Sequence, residues 1–139
     1  VLATYSKARN LIIVDSDSIS TFIFQRSVEL LLPDHQFNWK IVASIRDFQN
    51  DLRTGNDCNL LKKADWVIID SKYLWHDQAI LIDVLQFIRT NGPHIRRVLT
   101  AEFFTGSIFT IMLDENLIDE VIVKPIGPES LRNLVSRTH

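Results

Sequence analysis

Four short apolar runs, rich in β-branched residues, each stop on a polar side chain: Leu11–Val14 before Asp15, Trp66–Ile69 before Asp70, Val98–Leu99 before Thr100, and Val121–Val123 before Lys124. Runs this short and this uniformly apolar suit strands buried on both faces of a parallel sheet. Segments with helical spacing separate them, and WKIVAS at 39–44 reads as a further strand, second in chain order. Strand and helix therefore alternate five times. Such alternation implies a parallel sheet with helices on both faces, joined by right-handed crossovers. The expected fold class is α/β, a doubly wound five-stranded parallel sheet in the order 2-1-3-4-5.

The helices carry their own punctuation. The spacing predicts a helix over 18–32 with Ile19, Phe22, Ile23, Leu30 and Leu31 as its apolar stripe, closed by Pro33-Asp34. Ser44 is placed to cap a second helix with Ile45, Phe48 and Leu52 inward and Gly55 as its stop. Residues 56–64 read as a longer connection. A helix over 77–90 presents Ile80, Val84, Phe87 and Ile88 and ends at Asn91-Gly92-Pro93. The fourth helix, 104–114, has Phe104, Ile108, Ile111 and Met112 as a core stripe. Phe109 and Leu113 at its side read equally as core or as a partner-binding edge. Pro128-Glu129 opens the fifth helix, where a missing N–H costs little. Trp39, Trp66 and Trp75 are expected to be buried or half-buried.

A chain of 139 residues fits one domain: residues 1–9 as a tail or linker and 10–138 as the folded unit. The net charge of −2 comes with no Lys/Arg run, so neither nucleic-acid nor membrane-surface binding is expected of this segment. Cys58 is the single cysteine, which excludes an internal disulfide and points to a reducing, cytoplasmic setting. His35, His76, His94 and His139 lack zinc-ligand spacing. No apolar run is long enough to span a bilayer, and the N-terminal residues lack a signal-peptide core. The missing initiator Met points to a processed, excised or renumbered chain.

In an open α/β sheet the ligand crevice lies beyond the carboxyl ends of the strands. There stand Asp15, Asp70, Thr100 and Lys124, on strands that are successive neighbours about 4.8 Å apart. Two carboxylates suit a hard divalent cation such as magnesium. A lysine and a hydroxyl beside them suit the oxygens of a phosphoryl group. Taken singly, each has a plainer reading. Asp15 and Asp70 are favoured residues for capping the turn after a strand, Lys124-Pro125 would pass for a solvated strand end, and Asp17 is a good N-cap for the first helix.

The set IIVDSD, VIIDSK, VLTAE and VIVKP, in this chain order across residues 10–138, resembles the receiver domain of two-component response regulators. The resemblance implies the flavodoxin-like receiver fold and a role for each position. Asp70 would be the phosphoacceptor and also a ligand of Mg2+, Asp15 the first of the acidic pair that holds that metal, and Lys72 the donor of a backbone carbonyl to it. Thr100 would bond the phosphoryl group and Lys124 would pair with it, with a cis bond to Pro125. Implied partners are a sensor histidine kinase or phosphotransfer protein, and a downstream protein docking on the fourth helix, fifth strand and fifth helix. The domain would be a signalling switch rather than an enzyme.

The sequence departs from that pattern at four places. Ser16 stands where the second metal-binding acid is expected, leaving Ser16 or Asp17 as the further ligand and implying weaker magnesium binding. Tyr73-Leu74 replaces Met-Pro after the acceptor, and Val121 replaces the switch aromatic. Lys72 brings an ammonium to the phosphosite, either over the acidic pocket in partial place of the cation or against Glu102. These departures favour a second reading, a pseudo-receiver that binds proteins without phosphate. A nucleotide-binding enzyme on the same topology is disfavoured, because DSDSIS after the first strand contains no glycine-rich loop.

Overall fold

The computed structural model of the chain describes residues 8–55, 58–104 and 106–136, the side chains of 58–60 and 136 excepted. Most of the tail expected at residues 1–9, and His139, lie outside the described residues. The strands are β1 (Arg9–Val14), β2 (Phe37–Val42), β3 (Trp66–Asp70), β4 (Arg96–Ala101) and β5 (Glu120–Val123). All are parallel and ordered β2-β1-β3-β4-β5, as the alternation predicts. The helices are α1 (Ser18–Leu31), α2 (Ile45–Thr54), α3 (Cys58–Lys63), α4 (Tyr73–His76), α5 (Gln78–Asn91), α6 (Ser107–Asp114) and α7 (Pro128–Ser136).

The two-residue period of the central strands divides the interior. Ile12, Val14, Val67, Ile69 and Leu99 point to one face, packed by α2, α5 and α6 through Phe48, Leu52, Leu81, Val84, Ile88, Phe109 and Met112. Leu11, Ile13, Trp66, Ile68, Val98 and Ile122 point to the other, a smaller core closed by Phe24 and Val28 of α1 and Leu131 and Leu134 of α7.

The structure corrects several sequence expectations. The buried stripe of α1 is Thr21, Phe24 and Val28, whereas Ile19, Phe22, Ile23 and Leu30 face solvent. The cap sets this phase. Asp17 accepts from the amides of Ile19 and Ser20, and its own carbonyl accepts from the Thr21 amide and hydroxyl, which turns Thr21 inward. α6 starts three residues later than expected, so Phe104 precedes it and is exposed; within the helix Phe109 joins Met112 in the core and Ile111 is exposed. Trp75 is also exposed. β2 begins two residues earlier than expected, where Phe37 packs on Trp39 and Trp66 at ring distances of 5.7 and 6.3 Å. Part of the 56–64 connection forms α3, and the extra turn α4 precedes the expected third helix. Ser44 and Gly55 cap α2 as expected, Gly55 with φ of 70°.

One clasp ties α2 to α5. Arg53 and Gln49 both donate to the Asp83 carboxylate, holding its pKa below the ordinary 3.8, mainly through the Arg53 bond. A carboxyl with a depressed folded-state pKa adds stability above its unfolded pKa and loses it as pH falls through the folded value. The pair is solvent-exposed, so Asp83→Asn is expected to cost under about 1 kcal/mol at neutral pH. Urea titrations should show the variant and parent converging once the pH drops below that folded value.

Candidate functional site

The strand ends meet on one face for a reason of parity. Asp15 continues Leu11 and Ile13, Asp70 continues Trp66 and Ile68, Thr100 follows Val98, and Lys124 follows Ile122. All four therefore point to the α1–α7 side of the sheet, just beyond its smaller core. Register brings Asp15, Asp70 and Thr100 level, and sets Lys124 two residues beyond Ile122, the partner of Thr100. Val14 pairs with Ile69, one step before Asp15 and Asp70, and Asp70 pairs directly with Thr100. Backbone bonds fix the ends: Asp15 N donates to Val42 O at 3.0 Å, Ser71 N to Thr100 O at 2.8 Å, and Lys124 N to Ala101 O at 2.8 Å.

Asp70 is held at both oxygens. Oδ1 accepts from Lys124 Nζ at 3.0 Å and Thr100 Oγ1 at 3.3 Å, and Oδ2 from the Lys72 amide at 3.0 Å. Lys124 Nζ also lies 3.8 Å from Asp15 Oδ2 and donates to Ser20 Oγ at 2.7 Å. The Lys124–Pro125 bond is cis. Asp15 and Thr100 are buried, while Asp70, Lys72 and Lys124 are half-buried at the floor of a groove of about 670 Å³. Ile19, Ile23, Trp75 and Phe103 contribute apolar walls.

Lys72 occupies the acidic pocket. Its ammonium forms an ion pair and hydrogen bond with Asp15 Oδ1 and lies 5.5 Å from the Tyr73 ring centroid. Burial disfavours its charge, but the bond to Asp15 and the charges of Asp15 and Asp70 outweigh this and leave its pKa raised. The alternative pairing with Glu102 is not found among the described residues. Burial likewise pushes the Tyr73 phenol up, opposed by Lys72 and Ser16.

The expected metal ligands are otherwise engaged. Asp17 lies at the N-terminus of α1 as its cap, and Ser16 is exposed. The Lys72 carbonyl accepts from Trp75 N at 2.9 Å and His76 N at 3.2 Å, because Lys72 has helical backbone angles and starts the turn of α4. Asp15 Oδ1 accepts from Asp17 N at 2.9 Å as well as from Lys72. Among the described residues no cluster of three His, Cys, Asp or Glu suits a metal. This arrangement does not fit a divalent cation. Ser20 is the participant that sequence reasoning missed. An Asp17 cap places residue 20 in the first turn of α1 beside the sheet, and that phase was the available signal.

These features together define the fold of response-regulator receiver domains. The chain is similar to a response regulator from Thermotoga maritima at 17% identity and a TM-score of 0.63, covering 94% of this chain and 99% of that one. It is also similar to the signal receiver domain of an HD domain-containing protein from Pseudomonas fluorescens Pf-5, at 15% identity and a TM-score of 0.63 over 95% and 94% of the two chains. A third likeness is to a response regulator protein from Burkholderia pseudomallei with a phosphorylated aspartic acid, calcium ion and citrate. There the identity is 15% and the TM-score 0.60, over 91% of this chain and 65% of that one. No protein-family model and no curated protein sequence matches the chain.

Proposed function

We propose that the domain is a two-component signalling switch that accepts a phosphoryl group on Asp70. The observation that carries this reading is the convergence of Lys124 and Thr100 on one oxygen of Asp70, with Asp15 alongside. A carboxylate so placed attacks phosphorus, forming a P–O bond and a mixed anhydride. With a phosphohistidine donor, the P–N bond breaks, its electron pair stays on the imidazole nitrogen, and solvent supplies that nitrogen's proton. With a small acyl phosphate, the leaving group is a carboxylate and no proton is required. Lys124 and Thr100 can then turn from Asp70 to the phosphoryl oxygens, which gives the charge change a route into β4 and β5.

The donor class is a sensor histidine kinase or phosphotransfer protein, and the expected setting is the cytoplasm. Among the described residues, no helix is long and apolar enough to cross a membrane. Output would pass through α6, β5 and α7, where Ile111 and Val123 are exposed and Val121 supplies no aromatic ring to swing. The domain is its own substrate, so it is a switch rather than an enzyme. Magnesium, the cofactor implied by the resemblance, would have to displace Lys72 from Asp15.

That ion pair is also the observation favouring the second reading, a phosphorylation-independent interaction module. Intact mass after incubation with a small acyl phosphate separates the two. One added phosphoryl group, absent in Asp70→Asn, supports the switch. A label that persists in Asp70→Asn rejects Asp70, and no label from any donor leaves the interaction module.

A further inference from the structure

We infer that the Lys72 ammonium is the resident cation of this pocket, so that Asp70 takes up a phosphoryl group without a divalent metal. This rests on the acceptor reading and concerns the charge balance of the same site. A phosphoryl group brought against Asp15 and Asp70 meets two carboxylates, and positive charge must offset them. Two ammoniums already do so: Lys72 on Asp15, and Lys124 shared between Asp70 and Asp15.

Three departures from the receiver pattern agree with one another here. Ser16 removes a carboxylate that would raise the affinity for a divalent ion. The α4 turn commits the Lys72 carbonyl to the Trp75 and His76 amides, and the same turn directs the Lys72 side chain back over Asp15. Tyr73 puts a buried aromatic ring beside the ammonium, at cation–π distance. The result is a tethered monovalent charge at the carboxylate where a metal would otherwise bind.

In the transfer, an Asp70 oxygen forms the new bond to phosphorus as the bond to the donor's carboxylate oxygen breaks. The electron pair departs with that carboxylate, and no proton moves. Lys72 keeps its proton throughout. It acts electrostatically and can follow the incoming phosphoryl oxygens because its four-carbon stem is flexible.

The test uses the full chain, acetyl phosphate and intact mass, with either a chelator or magnesium present. The parent is expected to label at rates within about twofold in the two conditions. Lys72→Met, which keeps the apolar stem, should label about tenfold or more slowly in chelator and recover with magnesium. A parent that labels only with magnesium overturns the inference and leaves Asp70 as acceptor. A second measurement covers the case in which nothing labels. Magnesium titration followed by amide NMR shifts should bind Lys72→Met about tenfold more tightly than the parent. That difference without any label from either acetyl phosphate or a phosphohistidine donor rejects the acceptor reading and keeps Lys72 as the resident charge. Equal magnesium affinity in parent and variant overturns the inference whatever the labelling shows.

Discussion

Trp66→Ala is expected to destabilise the domain by about 3–5 kcal/mol, the range for removing a large buried aromatic side chain. Trp66 is 0% exposed and is the largest of the fully buried side chains. It stands at the start of β3 in the smaller core, beside Phe37. Little can collapse into the space it leaves, since its flanks are central strands. A domain of this size has only about 5–15 kcal/mol in total. The expected loss is therefore a large fraction, and a fall in melting temperature of about 10–15 °C should accompany it. Trp75→Ala is the matched control. That side chain is 67% exposed, and its loss should change stability by no more than about 0.5 kcal/mol. Denaturation midpoints that coincide for the two variants would refute the assigned burial.

Lys124→Met should nearly abolish phosphoryl acceptance while leaving a folded domain. The ammonium bonds Asp70 and Ser20 and neighbours Asp15. Its loss leaves two carboxylates facing an incoming phosphoryl group with Lys72, among the described residues, as the one ammonium still in contact with either. Removing one preorganised donor to developing charge typically costs about 10²–10³ in rate. Stability should fall as well, by about 1–3 kcal/mol. This is less than for a wholly buried pair, because the Lys124 side chain is 25% exposed and water screens the residual charge. Rates from acetyl phosphate, set beside urea midpoints, distinguish the two effects. A folded variant that labels at the parent's rate would remove Lys124 from the site.

The strands and their ends were legible because their signal is local. LIIV, WVII and VIV are short, apolar and β-branched, and each ends on a residue whose parity assigns it to a face. Alternation together with the pairing register of β1, β3, β4 and β5 places Asp15, Asp70, Thr100 and Lys124 on the same side. The helix faces were harder to read. Counting apolar residues selected Ile19, Phe22 and Leu30, whereas the cap at Asp17 rotates α1 to bury Thr21 and Phe24. A hydroxyl satisfied by a backbone carbonyl can enter the interior, and composition does not register that bond. For the helix expected at 104–114 the same counting put Phe104 in the core, although it precedes the first turn of α6 and faces solvent, and left the buried Phe109 open between core and edge. The role of the Lys72 side chain was open between Asp15 and Glu102 because the α4 turn that aims it left no clear mark in the sequence. Replacement of Met-Pro by Tyr73-Leu74 marked a departure at this loop without giving its geometry.

The unequal division of the interior has a consequence for local unfolding. Opening free energies within a domain follow the apolar surface that each unit buries. The α1–α7 side has the smaller core, and several of the large apolar residues of α1 contribute nothing to it. These two helices can thus detach together while β1, β3 and the larger core on the opposite face persist. Ser20 leaves with α1, and Lys124 then loses one of its three tethers. The lifetime of the assembled pocket is accordingly limited by the fraying of its thinner side rather than by the global stability of the sheet.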